Sequence, residues 1–205
     1  MRIRLKIFSI WFMLLFLTIN FSGCTVIFQK GRRVDTEKIS KLKNELSDLE
    51  RAKKELEDQL KNEINDKEVK VEMLERGLVI TFVAEVLFDS GKADLRKESM
   101  PKLEKVSNVL NTTVKDLDVG IEGHTDNVPI KYSNWKSNWE LSSGRAMSVL
   151  HFLIDVQSVN PERLRAIGYG EYHSVADNST SIGRQKNRRV EIVILPKTIK
   201  EGRAE

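Results

Sequence analysis

Cysteine is almost absent from this chain of 205 residues: Cys24 stands alone, so no internal disulfide can form. Histidine is scarce too, and His124, His151 and His173 lack the spacing of metal ligands. No acidic residue precedes residue 24, and neither proline nor glycine occurs from Val34 to Arg76. A basic surface is also missing, despite a net charge of +4. Removing Arg2, Arg4 and Lys6 from the 34 basic residues leaves 31 against 30 acidic ones, so the rest of the chain is nearly neutral. That balance argues against nucleic acid as a partner. The Arg188-Arg189 pair is too short to form such a patch.

The acid-free start has a definite plan. Residues 1–23 open with MRIRLK and continue as the uncharged run IFSIWFMLLFLTINF, closing on the small residues Ser22 and Gly23. This is the layout of a secretory signal. An uncleaved transmembrane anchor is the competing reading, because the run is near the lower length limit for crossing a bilayer. The tetrapeptide Phe21-Ser22-Gly23-Cys24 resembles the lipobox of bacterial lipoproteins, with Phe21 where Leu is usual. The resemblance implies an acylated Cys24 as mature N-terminus, whose chains would anchor the protein at about 0.8 kcal/mol per buried methylene. Thr25 in place of Asp favours the outer membrane, with the protein facing the periplasm.

Residues 24–37 read as a polar tether and 38–76 as a helical spacer. Ile39, Leu42, Leu46, Leu49, Leu56 and Leu60 fall at alternating spacings of three and four, with Lys53 interrupting one seam of a helix. Ile64, Val71 and Leu74 drift out of register. A continuous helix from Ile39 to Leu74 would span roughly 50 Å at 1.5 Å per residue. Residues 39–74 either pair with another copy or an envelope partner, or form a lone spacer; the pattern leaves both open.

Residues 77–197 carry the pattern of a globular domain, and 198–205 a short tail. Residues 78–84 alternate as a strand, which 86–88 extend or restart. Residues 95–110 place Met100, Leu103, Val106 and Leu110 at helical spacing, with Pro101 tolerable only in the first turn. A strand at 117–122 leads into a polar loop, and Ser137 or Asn138 caps a helix reaching about Asp155. Strands at 164–168 and 190–194 follow, separated by a polar segment, 177–186, that is a short helix or a loop. The expected order is βαβαββ: an α/β (α+β) two-layer sandwich.

Within this frame Asp126 and Arg145 flank the loop 121–145. Two opposite charges held apart suit a zwitterionic ligand, since each end can pair with a charged partner. The guanidinium offers a carboxylate a planar fork that Lys would not reproduce, and N–H groups at the helix start also favour an anion. The plain alternative is that Asp126 and Arg145 pair with each other.

Four ordered motifs then become recognisable. Gly123-His124-Thr125-Asp126, Asn138-x-x-Leu141-Ser142-x-x-Arg145-Ala146, Gly168-Tyr169-Gly170 and Asn187-Arg188-Arg189-Val190-Glu191-Ile192 together resemble the OmpA C-terminal-like domain family, over residues 78–196. The resemblance implies non-covalent binding of peptidoglycan. By position, Asp126 matches the residue that binds the ammonium of the stem-peptide diaminopimelate, and Arg145 the one that binds the carboxylate on the same carbon. Asn138 and Arg188 match two further pocket residues. The loop between Asp126 and Asn138 is longer than in compact members and carries Trp135, with Trp139 just beyond it; either aromatic could clamp a sugar face or form a packed rim. Gly144 stands where Ala is common.

Other chemistries fit less well. His124, Asp126, Ser142 and Ser143 have no nucleophile elbow and no second base, so no catalytic residue, cofactor or metal is expected. His124 is expected to brace the loop by hydrogen bonds. The membrane-anchored stator B subunit of a flagellar or similar motor shares this domain, but it needs an acid in its membrane segment, and Leu5 to Phe21 has none. A component of a secretion or Tol-like envelope complex is the remaining alternative, docking through the Leu42–Leu60 seam.

Overall fold

The computed structural model of the protein describes residues 35–131 and 133–197. Cys24, the signal segment, most of the tether and the tail at 198–205 lie outside the described residues.

Residues 35–59 form helix α1, followed by the short helix α2 (Lys61–Asn65). The spacer pattern predicts helix as far as Leu74, but helix ends at Asn65. Lys67 takes a positive φ of 60°, the chain reverses, and strand β1 (Val69–Leu74) pairs antiparallel with β2 (Gly77–Val83). The pairing fills the backbone hydrogen bonds along one side of β2 and buries Val69 and Val71, gains that outweigh the modest helix preference of the flanking Glu and Lys. The seam also divides. Ile39, Leu42 and Leu46 are exposed, whereas Leu49, Ala52, Leu56 and Leu60 are buried in the core of the domain. The second half of the seam therefore has its partner within its own chain, which narrows the surface expected for self-association.

Beyond β2 the order is α3 (Ala84–Leu87), α4 (Met100–Asn111), β3 (Asp118–His124), α5 (Asn138–His151), β4 (Leu164–Gly168), α6 (Ser181–Asn187) and β5 (Arg189–Leu195). The expected βαβαββ series is present, with β1 added in front and α6 inserted before the last strand. Residues 84–87 turn as helix rather than extending the strand, and Pro101 sits in the first turn of α4 where its missing N–H costs nothing. The sheet runs β1-β2-β5-β3-β4. β3 and β4 are parallel, with α5 as the crossover, and the other pairs are antiparallel.

Register separates the two faces of the sheet. Ile80, Ile192 and Ile121 align across β2, β5 and β3, as do Leu78, Ile194 and Val119, and all six join the core with Leu103, Val106, Ala146 and Val149 from the helices. One residue along, the aligned set is Thr81, Glu191 and Glu122, so the other face is polar. Arg163 secures the far end of α4. Its buried guanidinium donates to the carbonyls of Leu117, Leu110, Lys115 and Val114 at 2.6–2.8 Å, meeting acceptors that the helix end and its following turns leave open.

Candidate functional site

Close backbone contact sets the position of the site. A Cβ on Gly123 would lie 2.1 Å from the carbonyl oxygen of Ser142, and one on Gly168 would lie 2.1 Å from Ser143 Oγ. The glycines of the GHTD and GYG motifs thus let α5 lie directly on the ends of β3 and β4. Ser142 Oγ, fully buried, donates to Trp139 O and accepts from Gly170 N, both at 3.0 Å. It fastens the helix to the strand end and is not poised as a nucleophile. Ser137 is the cap: its hydroxyl accepts from Glu140 N, while Glu140 Oε2 accepts from Lys136 N at 2.8 Å.

Asp126, Asn138, Arg145 and Arg188 line one cavity of about 410 Å³, together with Glu85, Phe88 and the loop residues Val128–Ile130. That volume suits an amino-acid-sized group. Their roles within it differ. Asp126 Oδ1 accepts from Val128 N at 3.1 Å, which closes a local turn, and Oδ2 accepts from Arg188 Nη1 at 2.7 Å. Arg188 turns its Nε and Nη2 to Glu85 Oε1 at 2.6 and 2.5 Å. Asn138 Nδ2 lies 3.3 Å from Asp126 O, 3.2 Å from Val128 O and 2.6 Å from Glu171 Oε2, so this side chain clamps the loop.

Arg145 stands apart. It is 4% exposed, its Nε donates to Lys92 O at 3.0 Å and its Nη2 to Asp89 O at 3.5 Å, and its guanidinium lies 5.2 Å from the Phe88 ring centre. Among the described residues it has no carboxylate within ion-pair distance. Burial lowers its pKa to about 10, with Glu85 and Asp126 raising it and Arg188 lowering it, so it remains charged at neutral pH. The simple Asp126–Arg145 pairing is therefore not formed; Asp126 is held by Arg188 instead.

The tryptophans of the loop are structural in different ways. Trp135 Nε1 donates to Gly91 O at 3.0 Å, and its ring covers Gly144, where a Cβ would come 2.7 Å from Cη2. Gly144 makes room for the ring that ties the long loop down. Trp139 is exposed and stacks on Tyr172 with ring centres 5.2 Å apart.

His124 does not brace the loop by hydrogen bonding. Both ring nitrogens are buried with no hydrogen-bond partner among the described residues, and the ring stacks on Tyr169 at 5.0 Å. Burial and the nearby Arg189 charge lower its pKa to about 3, so it is neutral. It belongs to a second concavity, about 800 Å³, on the polar face of the sheet. There Glu122, His124 and Glu191 bring one ligand atom each within 4.8 Å of one another, a grouping that sequence spacing does not reveal. Arg76 already bonds both carboxylates, and Arg189 holds Glu191 Oε1 at 2.5 Å. The cluster is a neutralised ion-pair ladder, and we assign it no metal. The buried charges of this cluster are mutually satisfied, whereas the smaller cavity holds the buried Arg145 without a carboxylate partner among the described residues and is the better site.

Asn187, the first residue of the NRR motif, is fully buried and fully bonded. Its Oδ1 accepts from Val175 N and Ala176 N, and its Nδ2 donates to Ala176 O and Asn178 Oδ1, all at 2.8–3.0 Å. It fixes the turn before α6, and so the approach of Arg188 to the cavity.

The OmpA family profile matches residues 87–188, the span that holds Asp126, Asn138, Arg145 and Arg188. Over 172 residues the chain is 35% identical to the uncharacterized protein YtxE of Bacillus subtilis (strain 168), covering 80% of this chain and 70% of that protein. This chain belongs to the OmpA family. As a family member it also matches motility protein B of the same strain, at 42% identity over 150 residues. That match takes in 73% of this chain, which spans 57% of the motility protein. Among solved structures it is similar to the cell wall anchor of the T6SS from Pseudomonas aeruginosa, at 33% identity and a TM-score of 0.63, covering 69% of this chain and 97% of that one.

Proposed function

We propose that this chain is a non-catalytic cell-envelope protein that binds peptidoglycan through the diaminopimelate of its stem peptide. The observation that carries the reading is Arg145: a buried guanidinium in an amino-acid-sized cavity, charged and without a carboxylate partner among the described residues. Burying an unpaired charge is expensive unless a ligand completes it. A ligand carboxylate does so with the planar fork that guanidinium presents. Membership of the OmpA family and the likeness to a cell wall anchor support the wall as the source of that carboxylate.

The membrane end of the proposal is acylated Cys24, holding the protein in the outer membrane. The 42% identity to motility protein B favours a second reading, in which an uncleaved segment before residue 24 anchors the chain as part of a motility-type assembly. Both readings use the same wall-binding cavity.

Full-length chain in detergent, sedimented with purified sacculi, tests the shared part. Wild type is expected to pellet and Arg145→Ala to stay in solution with an unchanged circular-dichroism spectrum. Pelleting of both would overturn the site. The mass of the mature protein separates the two anchors: a lipid-modified N-terminus at Cys24 supports the first, and an intact Met1 the second.

A further inference from the structure

Arg145 bridges two elements. Its backbone belongs to α5, but its guanidinium is held by the turn at residues 89–92, with Nε donating to Lys92 O and Nη2 to Asp89 O. These bonds occupy one edge of the planar fork. Nη1 has no hydrogen-bond acceptor among the described residues, which leaves it for a ligand. The attitude of that free edge is therefore set by where the turn lies.

The turn has little packing to hold it. Lys92 N closes it on Asp89 O at 3.1 Å, and Gly91 takes a φ of 69° at the third position, a conformation that favours glycine. Asp89, Ser90 and Lys92 are exposed, so burial in the core does not fix them. Among the described residues, two side chains from outside the turn donate to its carbonyls: Arg145, and Trp135, whose Nε1 lies 3.0 Å from Gly91 O. Trp135 also meets α5. A Cβ on Gly144, the residue before Arg145, would come within 2.7–3.3 Å of three atoms of its ring. The half-buried Trp135 thus joins the same two elements that Arg145 joins. Ser133 of the same long loop reinforces this contact, lying 3.5 Å from where a Cβ on Gly91 would stand.

We propose that Trp135 is a positioning residue of the anion subsite: it locks the turn at residues 89–92 against α5 and so aims the Arg145 guanidinium at the ligand carboxylate. The proposal rests on the diaminopimelate reading above, and in it Trp135 acts only through the turn. Without the Gly91 bond the exposed turn is free to shift, and the guanidinium shifts with the carbonyls that hold it. A carboxylate bound by charge and by two parallel N–H···O bonds loses more from such a shift than a neutral amide does.

Calorimetric titration of the full-length chain in detergent tests this with two probes. One is a stem tripeptide ending in meso-diaminopimelate; in the other, the carboxylate beside the side-chain amine is an amide. Wild type is expected to bind the acid at least tenfold more tightly. In Trp135→Phe, which keeps an aromatic ring and removes the donor, that preference is expected to fall below threefold, with affinity for the amide unchanged. Gly144→Ala, which displaces the ring from the side of α5, is expected to narrow the preference in the same way, and it carries the test if Trp135→Phe does not fold. An undiminished preference in Trp135→Phe, or equal weakening of both peptides, would overturn the proposal, because a loop that only loosens does not distinguish acid from amide. Wild type that binds neither peptide, or both alike, would instead strike the diaminopimelate reading itself. Thermal melts, expected to leave the variants folded at the titration temperature, separate a misaimed guanidinium from a lost fold.

Discussion

Asp126 and Arg145 face the same cavity without pairing: Asp126 bonds Arg188 at 2.7 Å, and Arg145 spends its nearest donors on the carbonyls of Lys92 and Asp89. The acid is neutralised from within the protein and the base is not. This asymmetry gives the cavity a net pull on an anionic group.

Arg145→Met follows from the same asymmetry. Removing an uncompensated buried charge while keeping its volume leaves the fold unchanged or raises its stability, by about 0–2 kcal/mol. The backbone carbonyls it leaves belong to a loop that water can reach. Ligand binding falls by about two orders of magnitude, corresponding to ~3 kcal/mol. Urea unfolding beside sacculus binding checks both halves: a variant that is destabilised and still binds would contradict this account.

Gly144 and Trp135 form a coupled pair. Gly144→Ala brings a helix preference of about 1 kcal/mol, yet its Cβ would meet Trp135 Cη2 at 2.7 Å. The ring must shift, and its bond to Gly91 O is lost. The single variant is therefore expected to be less stable than wild type, with altered tryptophan fluorescence. Added to Trp135→Ala, the same Gly144→Ala change stabilises by about 1 kcal/mol. Additive effects across this double-mutant cycle would show that the ring does not need the glycine.

His124 makes stability depend on pH. Its folded pKa, about 3, lies below the unfolded value of about 6.5, so between these limits the unfolded chain binds the extra proton. Stability from this group is complete above pH 6.5 and is lost as pH falls toward 3. From pH 7 to 5 the loss is about 2 kcal/mol by linkage. Across that interval the denaturation midpoint of wild type is expected to fall relative to that of His124→Phe as pH is lowered. Parallel lines would rule out His124 as the titrating group. Glu191 acts below this window: burial pushes it upward, but Arg189 and Arg76 more than offset that, and its pKa lies below the ordinary value.

Much of the domain is written locally. Alternation marks β5, the spacing of Leu103, Val106 and Leu110 marks α4, and Ser137 before an acidic first turn marks the start of α5. These signals depend only on neighbours along the chain, so they survive without knowledge of the fold. Motif order brings Asp126, Asn138, Arg145 and Arg188 to one cavity, as the structure also places them.

What the sequence alone could not decide depends on partners distant along the chain. Strand β1 lies hidden in a Glu- and Lys-rich run because its strand character comes from pairing with β2 and from the burial of Val69 and Val71. The half-seam from Leu49 to Leu60 resembles a dimer surface until the core of its own domain covers it. Asp126, Arg188 and Glu85 span 103 positions of sequence, and only the closed sheet brings them into one chain of charges. Local spacing thus determined the elements and the family motifs, because periodicity and capping are short-range. Which charges are paired and which remain free was settled by tertiary structure, because ion pairing is a property of distance in space.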